Sequence, residues 1–244
     1  MNASTKDITK KNFANNAKRI AAIDIVLVLG TLLMLKYSLL SVEALWTYAG
    51  PISLLSALAV GSWRLRKRRE SWANLGLGRP KSIRWTILWT LVALVVTIVV
   101  GILAESLLAN LIGAPDEVTQ AIDAQFQGRF ENIPGNFPAY LFWLVTAWII
   151  GGFTEEILFR GVLLTRFEYL FVKFPFAVFL AIALQAVLFG QQHYYYQGLA
   201  GWVATGAIAF VSGILYLAFK RNLWPLVLSH GLSNTLGLTI IYLS

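Results

Sequence analysis

The sequence predicts an all-α, polytopic integral-membrane helix bundle of about eight transmembrane helices. Its composition is the first reason: 57% of the residues are apolar, only 13% are charged, and mean hydropathy is +0.66. An ordinary soluble domain carries about 25% charged residues. The second reason is a series of charge-free runs, each near the ~20 residues that cross a bilayer core as helix. The third is negative, since none of these runs alternates with the two-residue period of barrel strands. No segment between them is long enough to build a second core, so residues 20–244 read as one integral-membrane domain behind a basic cytoplasmic tail, residues 1–19.

Taken in order, the tail is polar, basic and expected to be partly disordered. Ile20–Leu40 is a first span, interrupted only by Asp24 and Lys36. Ala44–Trp63 holds no charge and carries Gly50-Pro51, where a proline removes one backbone donor and favours a kink. Arg64-Leu-Arg-Lys-Arg-Arg-Glu70 follows as a cytoplasmic anchor. Trp85–Ala104 is the clearest span. Residues 113–136 form a polar loop with Asp116, Glu117, Asp123, Arg129 and Glu131, placed on the outer side because it has a single basic residue. From Asn132 to Thr154 there is no charge, and then Glu155 and Glu156 arrive together. Residues 158–172 read as an extension of the preceding helix, an interfacial helix or a separate span. The charge-free stretch between Lys173 and Lys220 leaves room for two spans, about 175–193 and 199–219, and Asn222–Leu243 is the last.

Charge and cysteine content narrow the function classes. The net charge of +8 is concentrated: of 20 Lys and Arg, five lie in the tail and eight between Arg64 and Arg84. Basic segments flanking apolar spans mark the cytoplasmic side and meet anionic headgroups, so a nucleic-acid partner is not expected. The N-terminus is too polar before its first apolar run for an ordinary cleavable signal peptide. The chain has no cysteine, which excludes disulfides, a thiolate nucleophile and Cys-based metal sites. There is no His-Glu-x-x-His zinc helix. Ser212-Gly213 lacks the glycine two residues upstream that a Gly-x-Ser-Gly motif needs, because Phe210 stands there. Glu105 reads as interfacial, and Tyr194–Tyr196 with the nine tryptophans as interfacial belts.

The informative polar residues are few. An ionisable group in a bilayer costs from a few to over ten kcal/mol unless it is paired or faces water, so a function is its default reading. Glu155 and Glu156 precede Arg160. The chain's two histidines stand in Phe189-x-x-x-His193 and His230-x-x-x-Asn234. Successive helical residues point about 100° apart, so Glu155 and Glu156 are not expected to face one point. Glu156 and Arg160, spaced i,i+4 with the acid first, suit a helical ion pair, which leaves Glu155 free for chemistry. His230 and Asn234 share a face, and Phe189 is expected to pack against His193 and hold its ring. Glu155 lies about 20 residues before Pro175 and His193 about 18 after it. If antiparallel helices meet at that turn, both residues sit roughly 27–30 Å from it at ~1.5 Å per residue. A further break within 158–172 would undo that match, and simple alternation of spans sets the two residues on opposite sides. Carboxylate, imidazole and amide are the groups that activate a water and stabilise what it attacks, which suggests a hydrolase within the membrane.

In this order, Glu155-Glu156-x-x-x-Arg160, Phe189-x-x-x-His193 and His230-x-x-x-Asn234 resemble the CPBP family, the CAAX prenyl proteases and bacteriocin-processing enzymes also called the Abi family. Trp72-Ala-Asn-Leu-Gly-Leu-Gly78 resembles the run that many bacterial members carry before this core. The resemblance implies an eight-helix intramembrane endopeptidase, with a catalytic core at about 137–240 and a water-filled cavity opening toward the cytoplasmic side. It implies that Glu155 is the general base with His193 beside it, sharing its water or binding a metal. His230 and Asn234 would stabilise the oxyanion, or His230 would be a further metal ligand, while Glu156 and Arg160 support the site. One carboxylate and two imidazoles (Glu155, His193, His230) match a catalytic zinc set with an open position. A desolvated glutamate paired with histidine can equally activate water unaided. The expected partners are the lipid bilayer, in a bacterial cytoplasmic membrane, and a peptide or protein-tail substrate such as a bacteriocin leader, a pheromone precursor or an anchored regulator. The alternative is a non-catalytic membrane immunity or scaffold protein that retains the site.

Overall fold

The computed structural model describes residues 3–112 and 117–244. Asp116 of the polar loop lies outside them, as do the side chains of Lys6, Lys10, Lys11 and Glu117. The chain is a multi-pass membrane protein, entirely helical among the described residues. Its helices are α1 (Ala3–Leu40), α2 (Trp46–Lys67), α3 (Ile83–Ile112), α4 (Glu117–Gly128), α5 (Phe137–Phe171), α6 (Ala177–Ala218) and α7 (Trp224–Leu243). Apart from α4, each is long and apolar enough to span a bilayer. The basic tail, expected to be partly disordered, is described from Ala3 as part of α1.

Helix α6 is a hairpin. Its 42 residues would reach ~63 Å as one rod, about twice a bilayer core. Gly198 breaks it, with φ 61° and ψ −160°, a backbone state open only to glycine. The halves lie antiparallel, as Gln185 Nε2 donating to Ala209 O (2.9 Å) and Trp202 Nε1 donating to Val187 O (3.1 Å) require. Among the described residues this makes eight α-helical segments when the halves of α6 are counted separately, seven of which are long enough to cross. The expected eight is thus met in number, although the eighth is α4, a 12-residue helix in the segment read as a loop.

Helix α5 continues from 158 to Phe171, so that stretch is an extension of its predecessor. A short turn then leads into α6, and Phe159 and Phe189 meet with ring centroids 5.0 Å apart. Glu155 and His193 are therefore level, as the distances from Pro175 anticipated. The alternation argument fails because α5 continues to Phe171, which puts Glu155 in the middle of its span instead of at its end.

A charge cluster knits the basic side together. Asp24 of α1, 2% exposed, accepts from Arg64 Nε (2.8 Å), Arg68 Nη1 (2.9 Å) and Arg166 Nε (2.9 Å). Arg166 also reaches Glu70 at 3.1 Å. What the sequence offered as an interruption of the first span thus ties α1 to α2 and α5. Below this layer, residues 72–78 pack beneath the bundle. Leu75 is buried and its carbonyl accepts from Tyr216 Oη (3.0 Å), Gly76 O accepts from Leu223 N (3.0 Å), and Gly78 O accepts from Trp224 Nε1 (2.9 Å).

Removing one partner of a buried ion pair strands the other charges. Asp24→Asn is expected to destabilise the detergent-solubilised protein by about 3 kcal/mol, read as a fall in melting temperature. Glu70→Gln, at the exposed edge of the cluster, should cost about 1 kcal/mol or less. Equal effects of the two would mean that Asp24 is not the hub.

Candidate active site

The middle of α5 is wound more widely than an α-helix: Trp148–Glu155 and Ile157–Leu164 form π-helical backbone. Thr154 follows the same winding, its hydroxyl donating to the carbonyl of Ile149 five residues back (2.8 Å). Long i→i+5 stretches are rare, and they concentrate at functional sites. Here the wide turn coincides with the closest approach of α7. A Cβ on Gly151 would lie 2.6 Å from Asn234 Nδ2 and 3.2 Å from His230 Nε2, so only glycine leaves room for both side chains.

Glu156, 2% exposed, accepts from Arg160 Nη1 (3.1 Å) and shares a hydrogen bond with His230 Nδ1 (3.0 Å), both on Oε1. The Arg160 guanidinium is also buried and stacks over the Phe189 ring at 4.6 Å. The i,i+4 pair is present as expected, but Glu156 does more than balance Arg160, since it fixes one nitrogen of His230. The other nitrogen, Nε2, faces Glu155 Oε2 at 3.9 Å. The expectation that the two glutamates cannot serve one point is therefore corrected. They flank a single imidazole from its two nitrogens, helped by the smaller rotation per residue of a π-wound helix. Glu155 itself has no direct hydrogen-bond partner among the described residues, and its carboxylate borders a cavity.

His193 shares a hydrogen bond between Nδ1 and the Phe189 carbonyl (3.0 Å), in which the ring nitrogen must donate. That fixes the neutral tautomer and leaves Nε2 as an acceptor. The Phe189 and Tyr196 rings flank it, with centroids 4.8 and 5.4 Å away. Phe189 thus packs against the imidazole as anticipated, and its carbonyl orients the ring as well. Among the described residues the Asn234 side chain makes one long bond, Nδ2 donating to Ala147 O at 3.4 Å.

Glu155, Glu156, Arg160, His193, His230 and Asn234 all border one cavity of about 590 Å³. Three elements (α5, the first half of α6, and α7) deliver them. From these groups the cavity runs along the outer halves of α3, α5 and α7, past Gly101, Glu105, Trp143 and Ile241, to Gln127 and Arg129 beside α4. It therefore opens away from the basic segment, whereas the resemblance implied an opening toward that side. The reason lies in residues 72–78, which close the basic side: the Trp72 ring sits 5.3 Å from that of Phe153, two residues before Glu155.

Glu155, His193 and His230 do not stand as a ready three-ligand set. No group of three His, Asp or Glu side chains among the described residues is spaced, as it stands, to hold a metal ion. Sequence reasoning also missed residues. Gly151-Gly152, just ahead of the glutamates, was legible as a close-approach signal. Arg129 was counted only as a loop charge, yet it lines the cavity among four aromatic rings.

Residues 137–236 match the family model described as Type II CAAX prenyl endopeptidase Rce1-like. All six polar site residues fall within that segment, and the match agrees with the family that the three motifs resemble. No curated protein and no solved structure matches the chain.

Filling the glycine notch tests the packing directly. Gly151→Ala is expected to displace the Asn234 amide and lower stability by about 1–3 kcal/mol, whereas Gly237→Ala, with open space around it, should be near neutral. Equal stability of the two variants would sink the close-approach reading.

Proposed function

From an Rce1-like segment that holds Glu155, Glu156, Arg160, His193, His230 and Asn234, we propose that the chain is an intramembrane endopeptidase. It hydrolyses a peptide bond of a membrane-associated peptide or protein tail. The observation that carries this reading is the meeting of one carboxylate, two imidazoles and one amide, from separate helices, on a single cavity of an otherwise apolar bundle. A scaffold has no physical need for them there, given what polar groups cost in lipid.

Glu155 takes a proton from a water held between its carboxylate and the acceptor nitrogen of His193. The resulting hydroxide adds to the scissile carbonyl carbon. Asn234 Nδ2 donates to the oxyanion, and His230, in the form protonated on both nitrogens, donates Nδ1–H to Glu156 and Nε2–H toward the oxyanion. When the tetrahedral species collapses, the C–N bond breaks and Glu155 returns its proton to the leaving amine. Glu156 and Arg160 hold His230 in place and touch no substrate. These steps use side chains alone; a metal held by Glu155, His193 and His230 would instead supply the activated water. The Lys- and Arg-rich segment between α2 and α3 sets the basic side, and with it the N-terminus, in the cytoplasm of a bacterial cell.

Purified Glu155→Gln and His193→Ala proteins should insert and accumulate normally yet lose cleavage of a membrane-peptide library by about 10²-fold or more. Asn234→Ala should lose about 10²–10³-fold, the usual worth of one oxyanion donor. Unchanged cleavage by Glu155→Gln would remove Glu155 from its role. No cleavage by wild type, with a cellular phenotype that survives the substitution, would favour the immunity or scaffold reading. A second prediction concerns cofactors: wild-type activity should survive prolonged chelation, and loss on chelation with recovery on added zinc would replace the side-chain mechanism by a metal-dependent one.

A further inference from the structure

Residues 72–78 lie outside the segment that the family model covers, and the proposed hydrolysis gives them no part. They nevertheless touch the π-wound stretch of α5 on both sides of its glutamate pair. Before the pair, the Trp72 ring meets the Phe153 ring edge-on, at 75° and 5.3 Å between centroids. After it, Leu75 packs on Gly161, so closely that a Cβ on that glycine would lie 3.2 Å from the Leu75 Cβ. Trp148–Glu155 and Ile157–Leu164 are π-wound with only Glu156 between them, so one contact falls in each stretch. Winding of this kind is rare beyond a single turn, and most helical stability in a folded chain comes from tertiary packing. The wide form of α5 therefore needs support from outside the helix.

The turn that makes both contacts is itself firmly held. Ser71 N caps it by donating to Asn74 Oδ1 (2.8 Å). The carbonyls of Leu75, Gly76 and Gly78 accept from Tyr216, Leu223 and Trp224, and the Trp72 indole donates to Ser62 of α2. Gly76 adopts φ 106°, and a Cβ there would run into the Arg221 carbonyl oxygen. These anchors lie on α2, α6, α7 and the turn between the last two, all separate from α5.

Resting on the role given to Glu155 above, we propose that Trp72 and Leu75 are positioning residues of the active site. They hold α5 in its π-wound register from the basic side. That register sets Glu155 and Glu156 against the two nitrogens of one imidazole, His230 Nε2 and Nδ1. Each residue turns through ~100° about the axis of an α-helix and through less in the wider π form. Relaxation to α-winding would therefore carry Glu155 off His230 and away from the cavity. Neither Trp72 nor Leu75 lines that cavity, so both act through Phe153 and Gly161.

The chain has no cysteine, so Glu155→Cys and, as a control on α7, Ser233→Cys each give a single reporter on the cavity wall. Both are labelled with a small water-soluble methanethiosulfonate in the detergent-solubilised full-length protein, alone and combined with Trp72→Ala, Leu75→Ala or Trp72→Phe. The alanine variants should slow labelling at position 155 by about fivefold or more, a shift within what the loss of one packed side chain brings to a two-state balance. Labelling at position 233 should be unchanged. Trp72→Phe keeps an aromatic ring against Phe153 and should retain most of the wild-type rate. With Glu155 in place, Trp72→Ala and Leu75→Ala should lower kcat by about 10²-fold, the effect of a displacement near 1 Å, with KM within about twofold. Unchanged or faster labelling at position 155 overturns the proposal. Equal slowing at 155 and 233 overturns it too, since that marks a general loosening of the fold. Labelling that shifts as expected in a protein that cleaves nothing would sink the peptidase reading and leave the positioning of Glu155 standing.

Discussion

The bifurcated carboxylate of Glu156 is the constraint on which the site depends. In a bilayer interior neither Arg160 nor an ordered imidazole persists without a partner, because desolvation of an isolated charge costs several kcal/mol. One oxygen of Glu156 serves both, 3.1 Å from Arg160 and 3.0 Å from His230. The guanidinium gains further from the Phe189 ring, and Phe189 in turn orients His193 through its carbonyl. The supporting pair and both histidines are thus one connected unit, beside which Glu155 makes no direct hydrogen bond among the described residues. A network of this kind sets geometry more than it adds stability, since a well-packed apolar replacement is often at least as stable.

Much of this was readable in the sequence, for identifiable reasons. Charge-free runs report spans because lipid tolerates little else, and the i,i+4 spacings of Glu156–Arg160, Phe189–His193 and His230–Asn234 report shared helix faces because α-helical geometry is regular. Where regularity failed, so did the reading. The fixed rotation of an α-helix separated Glu155 from Glu156, but π-winding and a histidine between them brought both to one ring. The break within α6 was legible as the gap between the spans read at about 175–193 and 199–219, whereas the 12-residue helix α4 was hidden in a segment whose polarity resembles a loop. Arg129 could not be singled out, because its significance lies in rings contributed by Trp46, Phe126, Phe130 and Tyr196, which are distant in the chain or look like interfacial aromatics.

The two ends of the bundle are built on different physics. On the basic side, charges pair with one another: Asp24 gathers Arg64, Arg68 and Arg166, and Glu168 pairs with Arg221 at 2.8 Å. Residues 72–78 then satisfy their backbone on α6, α7 and the turn between them and close that face. On the other side, the cations Lys36 and Arg129 meet aromatic rings instead of carboxylates, and polar atoms remain unsatisfied. Satisfied charge makes a seal.

That asymmetry also bears on where the polar groups of the cavity sit. In the proposed reaction water reaches Glu155, while the apolar helices stay closed to lipid. A cavity entered from one end and plugged at the other meets both demands, and the plug must be rigid if it is not to leak. The Trp72 ring against Phe153, with its indole N–H donating to Ser62 at 3.0 Å, supplies that rigidity next to the glutamate pair. The same contact couples the plug to the π-wound stretch of α5, so a disturbance of residues 72–78 reaches Glu155 through Phe153 without touching any polar group. The segment noted in the sequence only for a family likeness is thus a structural floor of the site.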